Sequence, residues 1–237
     1  MSGHSKWATT KRAKAVVDAK RGSIFTKMAN LIIQAAKKGG DPESNFVLKT
    51  AVERARAANM PKDNIERAIK RGTGELAGAT IEELVYEGIG PAQSQFIVKC
   101  LTDSRNRSAA TVRHAFDKVG GGLSSVMWNF HILGVLLITN EQLPPAKLAD
   151  LELELIDLGA EDIINEEEGI TIYCKTNDLQ NIKKFLEAKG VVVESAEMEY
   201  VAKEKKTLTG DDLEKFEKFI DILDENEDVS DYYSNVS

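Results

Sequence analysis

The sequence predicts an α+β protein of three domains: an N-terminal helical domain plus two α/β-sandwich domains, one ferredoxin-like (βαββαβ) and inserted in the other. Three observations predict it. Apolar residues recur at helical spacing through the first third of the 237-residue chain and in strand-like runs after residue 80. From residue 134 the runs alternate as strand, helix, strand, strand, helix, strand. A closing helix and strand then lack a sheet of their own unless the residues before residue 132 supply it.

The expected boundaries follow. Residues 1–75 form a basic helical domain, 80–131 and 207–237 a middle α+β domain completed by the C-terminus, and 132–206 the inserted ferredoxin-like domain. In the first, SIFTKMANLIIQAAK places Ile24, Met28, Leu31 and Ala35 on one stripe, widened by Phe25 and Ile32, and stops at Gly39-Gly40. A helix near 43–58 turns Leu48, Ala51, Val52 and Ala55 to one side. Pro61 sets up a third, KDNIERAIKRG, with Ile65, Ala68 and Ile69 inward. TGELAGAT at 73–80 reads as a linker.

After it ELVYEGIG and SQFIVKCLT are strands. SAATVRHAFDKVGGG is a helix with Ser108 as its expected N-cap, and SSVMWNF is another strand. VLLIT, PAKLADLELELIDLG, EDIIN, GITIYC, DLQNIKKFLEAKG and VVVESAEMEYV supply the βαββαβ order. DDLEKFEKFIDILDE and DVSDYYSNV supply the last helix and strand.

Charge is divided between these parts. The whole chain carries a formal −7, yet residues 1–75 hold 16 Lys or Arg against 7 Asp or Glu, leaving 15 basic and 31 acidic residues beyond them. A polyanion would therefore be met by the first third. There Lys6, Lys11, Arg12, Lys14, Lys20 and Arg21 are interleaved with small residues, His4 and one aromatic, Trp7. Such cations hold phosphate through counterion release, and an indole stacks on an unpaired base. A solvated helix explains the cations but not the scarcity of acids, and a transit peptide is the other reading of a basic, acid-poor start. Lys27 continues the segment, and Arg67, Lys70 and Arg71 sit on the third helix, where they extend the same surface or simply complement the helix dipole. Arg105 and Arg107, in the strand-to-helix turn of TDSRNRSAATVRHAF, form a second candidate anion site or an ordinary salt bridge.

Catalytic and metal patterns are missing. His4, His114 and His131 have no partner at zinc spacing, and HExxH, GxSxG, the Walker A loop and GxGxxG are absent. Cys100 and Cys174 lie in apolar strand-like runs and read as buried thiols. The longest apolar run, ILGVLLI, is strand-length, so no membrane segment is expected. The expectation is a protein without cofactor, metal, catalytic residues or small-molecule substrate.

Five motifs in order, GHSKW, DAKRGSIFTK, AANMPKDNIERAIKRGTG, YEGIGP and LTDSRNRSAATVRHAF, closely resemble the YebC/PmpR family. That family is described as transcriptional regulators and includes the mitochondrial translational activator of cytochrome oxidase subunit one. The resemblance implies a cytoplasmic, non-catalytic, three-domain α+β protein. It implies DNA or ribosomal RNA as partner, with some members acting on the ribosome to help translation of proline-rich stretches. Carried over by position, the segment around His4, Lys6, Trp7, Lys11, Arg12 and Lys14 is the nucleic-acid surface, and Arg105-Asn106-Arg107 is a second matched element. With the family's first motif at residue 1, no cleavable peptide is expected ahead of it. Here the loop after Gly121 is shorter than in the family, and Phe46 stands where proline is common. The alternative reading is a protein-interaction module that docks through its acidic ferredoxin-like domain.

Overall fold

The computed structural model describes residues 21–237, with side chains from Ile24 onward. Seven α-helices and two four-stranded antiparallel sheets are formed by the described residues, an α+β architecture with a helical N-terminal region. Two compact units divide the chain: Met127–Lys205 is one, and the described residues up to Val126 join Lys206–Val236 in the other.

In the second unit, α1 (Arg21–Ala36), α2 (Phe46–Ala57) and α3 (Lys62–Gly72) share a core. Leu48, Ala51, Val52 and Ala55 of α2 are all buried, as their spacing predicts. On α1 the burial is wider than one stripe. Ile32, Ile33 and Ala36 are more deeply buried than Met28 or Leu31, because α1 also packs on Ile81 and Leu101 of the neighbouring sheet region. One amide closes α1 and opens α2: Asn45 Nδ2 donates to Ala35 O at 2.9 Å and Gly39 O at 2.7 Å, while Asn45 Oδ1 accepts from Leu48 N at 3.2 Å. Phe46 is the first residue of α2. That position needs no intrahelical N–H bond, which is why proline suits it. At the end of α3 the helix touches α1, and a Cβ on Gly72 would lie 2.5 Å from Ile33 O.

The sheet of this unit has the order β3-β1-β2-β8, from β1 (Glu82–Ile89), β2 (Gln95–Thr102), the two-residue β3 (Gly122–Leu123) and the C-terminal β8 (Val229–Ser234). β2 and β8 run antiparallel with Phe96 opposite Ser234 and Val98 opposite Tyr232. The unbroken apolar run of β2 has a cause: both its faces are covered. Leu101 joins the helical core, while Phe96, Val98 and Cys100 face α4 (Arg105–Lys118) and α7 (Gly210–Glu225). There the Phe96 ring stacks on Phe216 at 5.4 Å and meets Phe219 and Phe116 edge-on at 4.9 and 6.2 Å.

Met127–Lys205 holds β4 (Phe130–Thr139), α5 (Pro145–Asp157), β5 (Ala160–Asn165), β6 (Gly169–Cys174), α6 (Leu179–Ala188) and β7 (Ser195–Ala202). Their sheet order, β5-β6-β4-β7, is that of a ferredoxin-like βαββαβ unit. Leu136, Ile138, Ile170 and Ile172 meet Leu151, Leu155, Ile182 and Leu186 in its core.

Three local readings change. Ser108 is not an N-cap but a buried residue one turn inside α4, whose N-cap is Ser104, so Arg105 and Arg107 stand in the first helical turn. SSVMWNF is not a strand. Val126 N donates to Glu87 Oε2 at 2.8 Å, Met127–Asn129 coil into a 3-10 turn, and the strand begins at Phe130. The turn is fixed by Glu204, 75 residues away, beyond the reach of any local periodicity. VVVE before β7 also stays outside the strand.

Phe96→Ala should lower the unfolding free energy in urea by about 3–5 kcal/mol, the range for removing a buried aromatic ring. The buried thiols make a second expectation. Burial pushes Cys100 up from an ordinary 9.0 to about 11, and Cys174 likewise to about 11. Between those values the unfolded chain loses the proton while the folded one keeps it, so stability is full below pH 9.0 and falls toward about 11. Lys27, whose pKa burial lowers, acts in the opposite sense. Urea titrations across this window should show Cys100→Ala flattening the fall by roughly one proton of slope.

Candidate nucleic-acid interface

Of the residues expected to meet a polyanion, His4, Lys6, Trp7, Lys11, Arg12, Lys14 and Lys20 lie outside the described residues, and Arg21 is described only as the first backbone position of α1. The remaining cations divide into those that face solvent and those the fold has used.

Lys27 belongs to the second group. Its Nζ donates to Asp224 O at 2.8 Å, in the last turn of α7, where helix carbonyls attract a cation. Burial pushes its pKa down, opposed first by Asp224. Neighbouring side chains do the same work, and nothing in the sequence had marked them. Asn30 Nδ2 donates to Leu101 O at 3.3 Å, Lys37 Nζ donates to Ile81 O, and Arg54 pairs with Asp231 at 3.4 Å. These contacts fasten α1 and α2 to the sheet beneath them.

Arg67, Lys70 and Arg71 are exposed together on the C-terminal half of α3. The helix suits them: Asp63 sits in its first turn and Lys70 and Arg71 in its last, matching the dipole. Arg67 donates to Asn64 Oδ1 and, at 3.4 Å, to Asp63 O. The Arg71 guanidinium lies along the linker, where a Cβ on Gly78 would come 2.5 Å from its Nε. Among the described residues, none of the three makes an ion pair. Asp63 and Glu66 share a shallow cleft with Arg67, Lys70 and Leu76, so the face is mixed in charge.

The two arginines of the second candidate anion site are held by carboxylates of the chain itself. Arg105 Nε donates to Glu82 Oε2, which raises its pKa. Arg107 forms a fork on Asp228, Nη2 to Oδ1 at 2.7 Å and Nε to Oδ2 at 3.2 Å, and also reaches Asp103 at 2.9 Å and Thr102 Oγ1 at 3.1 Å. Asp228, in the turn before β8, is buried. Its bonds to Arg107 are the main cause that raises the arginine pKa. Arg107 thus ties the start of α4 to the C-terminal strand. The sequence shows both arginines but not acids 23 and 121 residues away.

Cys100 and Cys174 are free and buried. Among the described residues there is no cluster of three or more His, Cys, Asp or Glu placed to hold a metal ion, and no helix is long and apolar enough to cross a membrane.

A helical region with outward cations, joined to a split α+β unit and a ferredoxin-like unit, defines the class of protein. Comparison with known proteins gives the family. Residues 5–75 match the TACO1/YebC protein N-terminal domain, and residues 81–236 match the TACO1/YebC second and third domain. The chain belongs to the TACO1/YebC family. It is 47% identical over 240 residues to a probable transcriptional regulatory protein of Caldanaerobacter subterraneus subsp. tengcongensis, covering 100% of this chain and 98% of that one. It is 45% identical over 239 residues to one of Thermotoga maritima, covering 99% and 93%. The crystal structure of a conserved hypothetical protein from Aquifex aeolicus superposes with a TM-score of 0.78 at 37% identity, covering 93% of this chain and 92% of that one.

Arg107→Ala would leave the buried Asp228 carboxylate without its fork. Urea unfolding should lose about 1–3 kcal/mol, the cost of an orphaned buried acceptor. Arg105→Ala, at an exposed pair, should lose far less. Equal losses would show that the fork has no special weight.

Proposed function

We propose that this chain is a non-enzymatic, nucleic-acid-binding regulator of gene expression that meets its target through the basic N-terminal region. The observation that carries the reading is the charge division: 16 basic against 7 acidic residues in 1–75, and 15 against 31 in the remainder. An acidic body is repelled by a polyanion, so approach is oriented toward the basic end. Relatives named probable transcriptional regulatory proteins support a regulatory role. The exposed Arg67, Lys70 and Arg71 support an interface that continues from the N-terminal segment onto α3.

The finer reading is a cytoplasmic factor that binds DNA or ribosomal RNA, with the ribosome as the site of action in the second case and relief of stalling on proline-rich stretches as its effect. Cations that act on phosphate serve either target. A second reading is favoured by α5, where Leu153 and Ile156 are 76% and 51% exposed among Asp150, Glu152 and Asp157. That face suits a protein partner docked on the acidic ferredoxin-like unit.

Alanine replacement of Lys6, Lys11, Arg12 and Lys14 together should weaken binding to nucleic acid and make its salt dependence shallower, by about 0.7–0.9 in log–log slope per lost phosphate contact. Replacement of Arg67, Lys70 and Arg71 should act in the same direction. Anisotropy titrations at several salt concentrations measure both, and unchanged slopes would sink the reading. Sedimentation of lysate with and without RNase separates the targets: RNase-sensitive migration with ribosomal particles points to ribosomal RNA.

A further inference from the structure

Trp128 is 60% exposed, whereas tryptophan is on average a well-buried side chain. Its backbone is nevertheless firmly held. Trp128 O accepts from Lys203 Nζ at 2.7 Å, and Asn129 O accepts from Lys203 N at 2.7 Å. The buried Asn129 side chain accepts from Glu204 N at 2.9 Å and donates to Glu204 O at 3.1 Å. Four hydrogen bonds therefore clamp the 3-10 turn Met127–Asn129 to residues 203–204 and present the indole to solvent. A core aromatic would not need this arrangement. A binding aromatic benefits from it, because little backbone freedom is left to lose on contact.

The surroundings indicate the ligand. Lys203 and Lys205 are exposed and, among the described residues, form no ion pair. His131 is exposed at the start of β4, in register with Val201 of β7. Glu204 is the acidic side chain in this stretch. An exposed indole and, on the segment clamped to its turn, the exposed ammonium of Lys205 match the two halves of a nucleotide, a base to stack and a phosphate to neutralise. The helix-free sheet face of the same unit offers no such match, since Tyr173 there lies among Glu199, Glu166 and Asp162.

We propose that Trp128 is a stacking platform for an unpaired nucleobase, with the exposed Lys205 placed to take an adjoining phosphate. This rests on the nucleic-acid reading above and narrows it to targets with unpaired bases, single strands or loops, because a base paired within a duplex presents no free face. Residues 127–205 carry 7 Lys and 16 Asp or Glu, so long-range attraction comes from the N-terminal region and Trp128 adds short-range selection.

The experiment uses the full chain labelled with 5-fluorotryptophan. Its two tryptophans give two fluorine resonances, and the one missing in Trp128→Phe is assigned to Trp128. A twelve-nucleotide single-stranded RNA and its duplex are titrated in, with binding followed independently by anisotropy. The single strand should shift the Trp128 resonance and the duplex should not. Trp128→Leu should weaken single-strand binding roughly five- to hundredfold with the salt slope unchanged, and Trp128→Phe should retain part of that affinity. Lys205→Ala, outside the clamp, should instead make the slope shallower. If the single strand binds while the Trp128 resonance stays fixed and Trp128→Leu binds as tightly as the parent, the platform is wrong and the nucleic-acid reading survives. If neither oligonucleotide binds, both fall.

Discussion

The contact of Phe96 with Phe116, Phe216 and Phe219 is the joint on which the larger unit depends. Phe96 lies on β2 and Phe116 on α4, both ahead of the ferredoxin-like unit in sequence. Phe216 and Phe219 lie on α7, behind it. Four rings with no solvent exposure beyond a trace thus join two stretches of chain that no short loop connects. α7 leads into β8, which pairs with β2, and Asp228, just before β8, is held by Arg107 at the start of α4. On the opposite face Leu101 and Ile81 receive the N-terminal helices. A single sheet covered on both sides is therefore the frame that positions the outward cations of α3.

Those cations face solvent, whereas several others of the described residues have been used by the fold. Lys27, Lys37 and Arg54 are spent on carbonyls or a carboxylate beneath the helices, and Arg107 on Asp228. A count of charges cannot separate a fastening lysine from a binding one. The distinction lies in partners that are distant in sequence, such as Asp224, which is 197 residues from Lys27. Charge composition singles out a region of the chain, while the part each described cation plays in the fold comes from geometry.

The same division runs through the fold. Features set by neighbours in sequence could be read directly: the buried face of α2, the extent of β6, and the βαββαβ order. Features set from far away could not. The two-sided burial of α1 depends on Ile81 and Leu101, and the turn at Trp128 on Glu204. The N-cap of α4 differs from the one the sequence suggests for a local reason. Ser104 precedes two arginines that resemble turn residues, and Ser108, four positions later, offered an equally good cap by type.

The position of β8 has a consequence for the making of the protein. Its partner β2 ends at Thr102, and β8 begins at Val229. During synthesis the whole of Met127–Lys205 emerges between them, and every strand of its sheet is complete by Ala202. The ferredoxin-like unit can therefore close while β2 still waits with an open, apolar edge. Any nascent chain that terminates before Val229 keeps that edge bare. Residues 229–237, carrying β8 and the buried Val236, act in effect as a seal that is set only after the ferredoxin-like unit has been made.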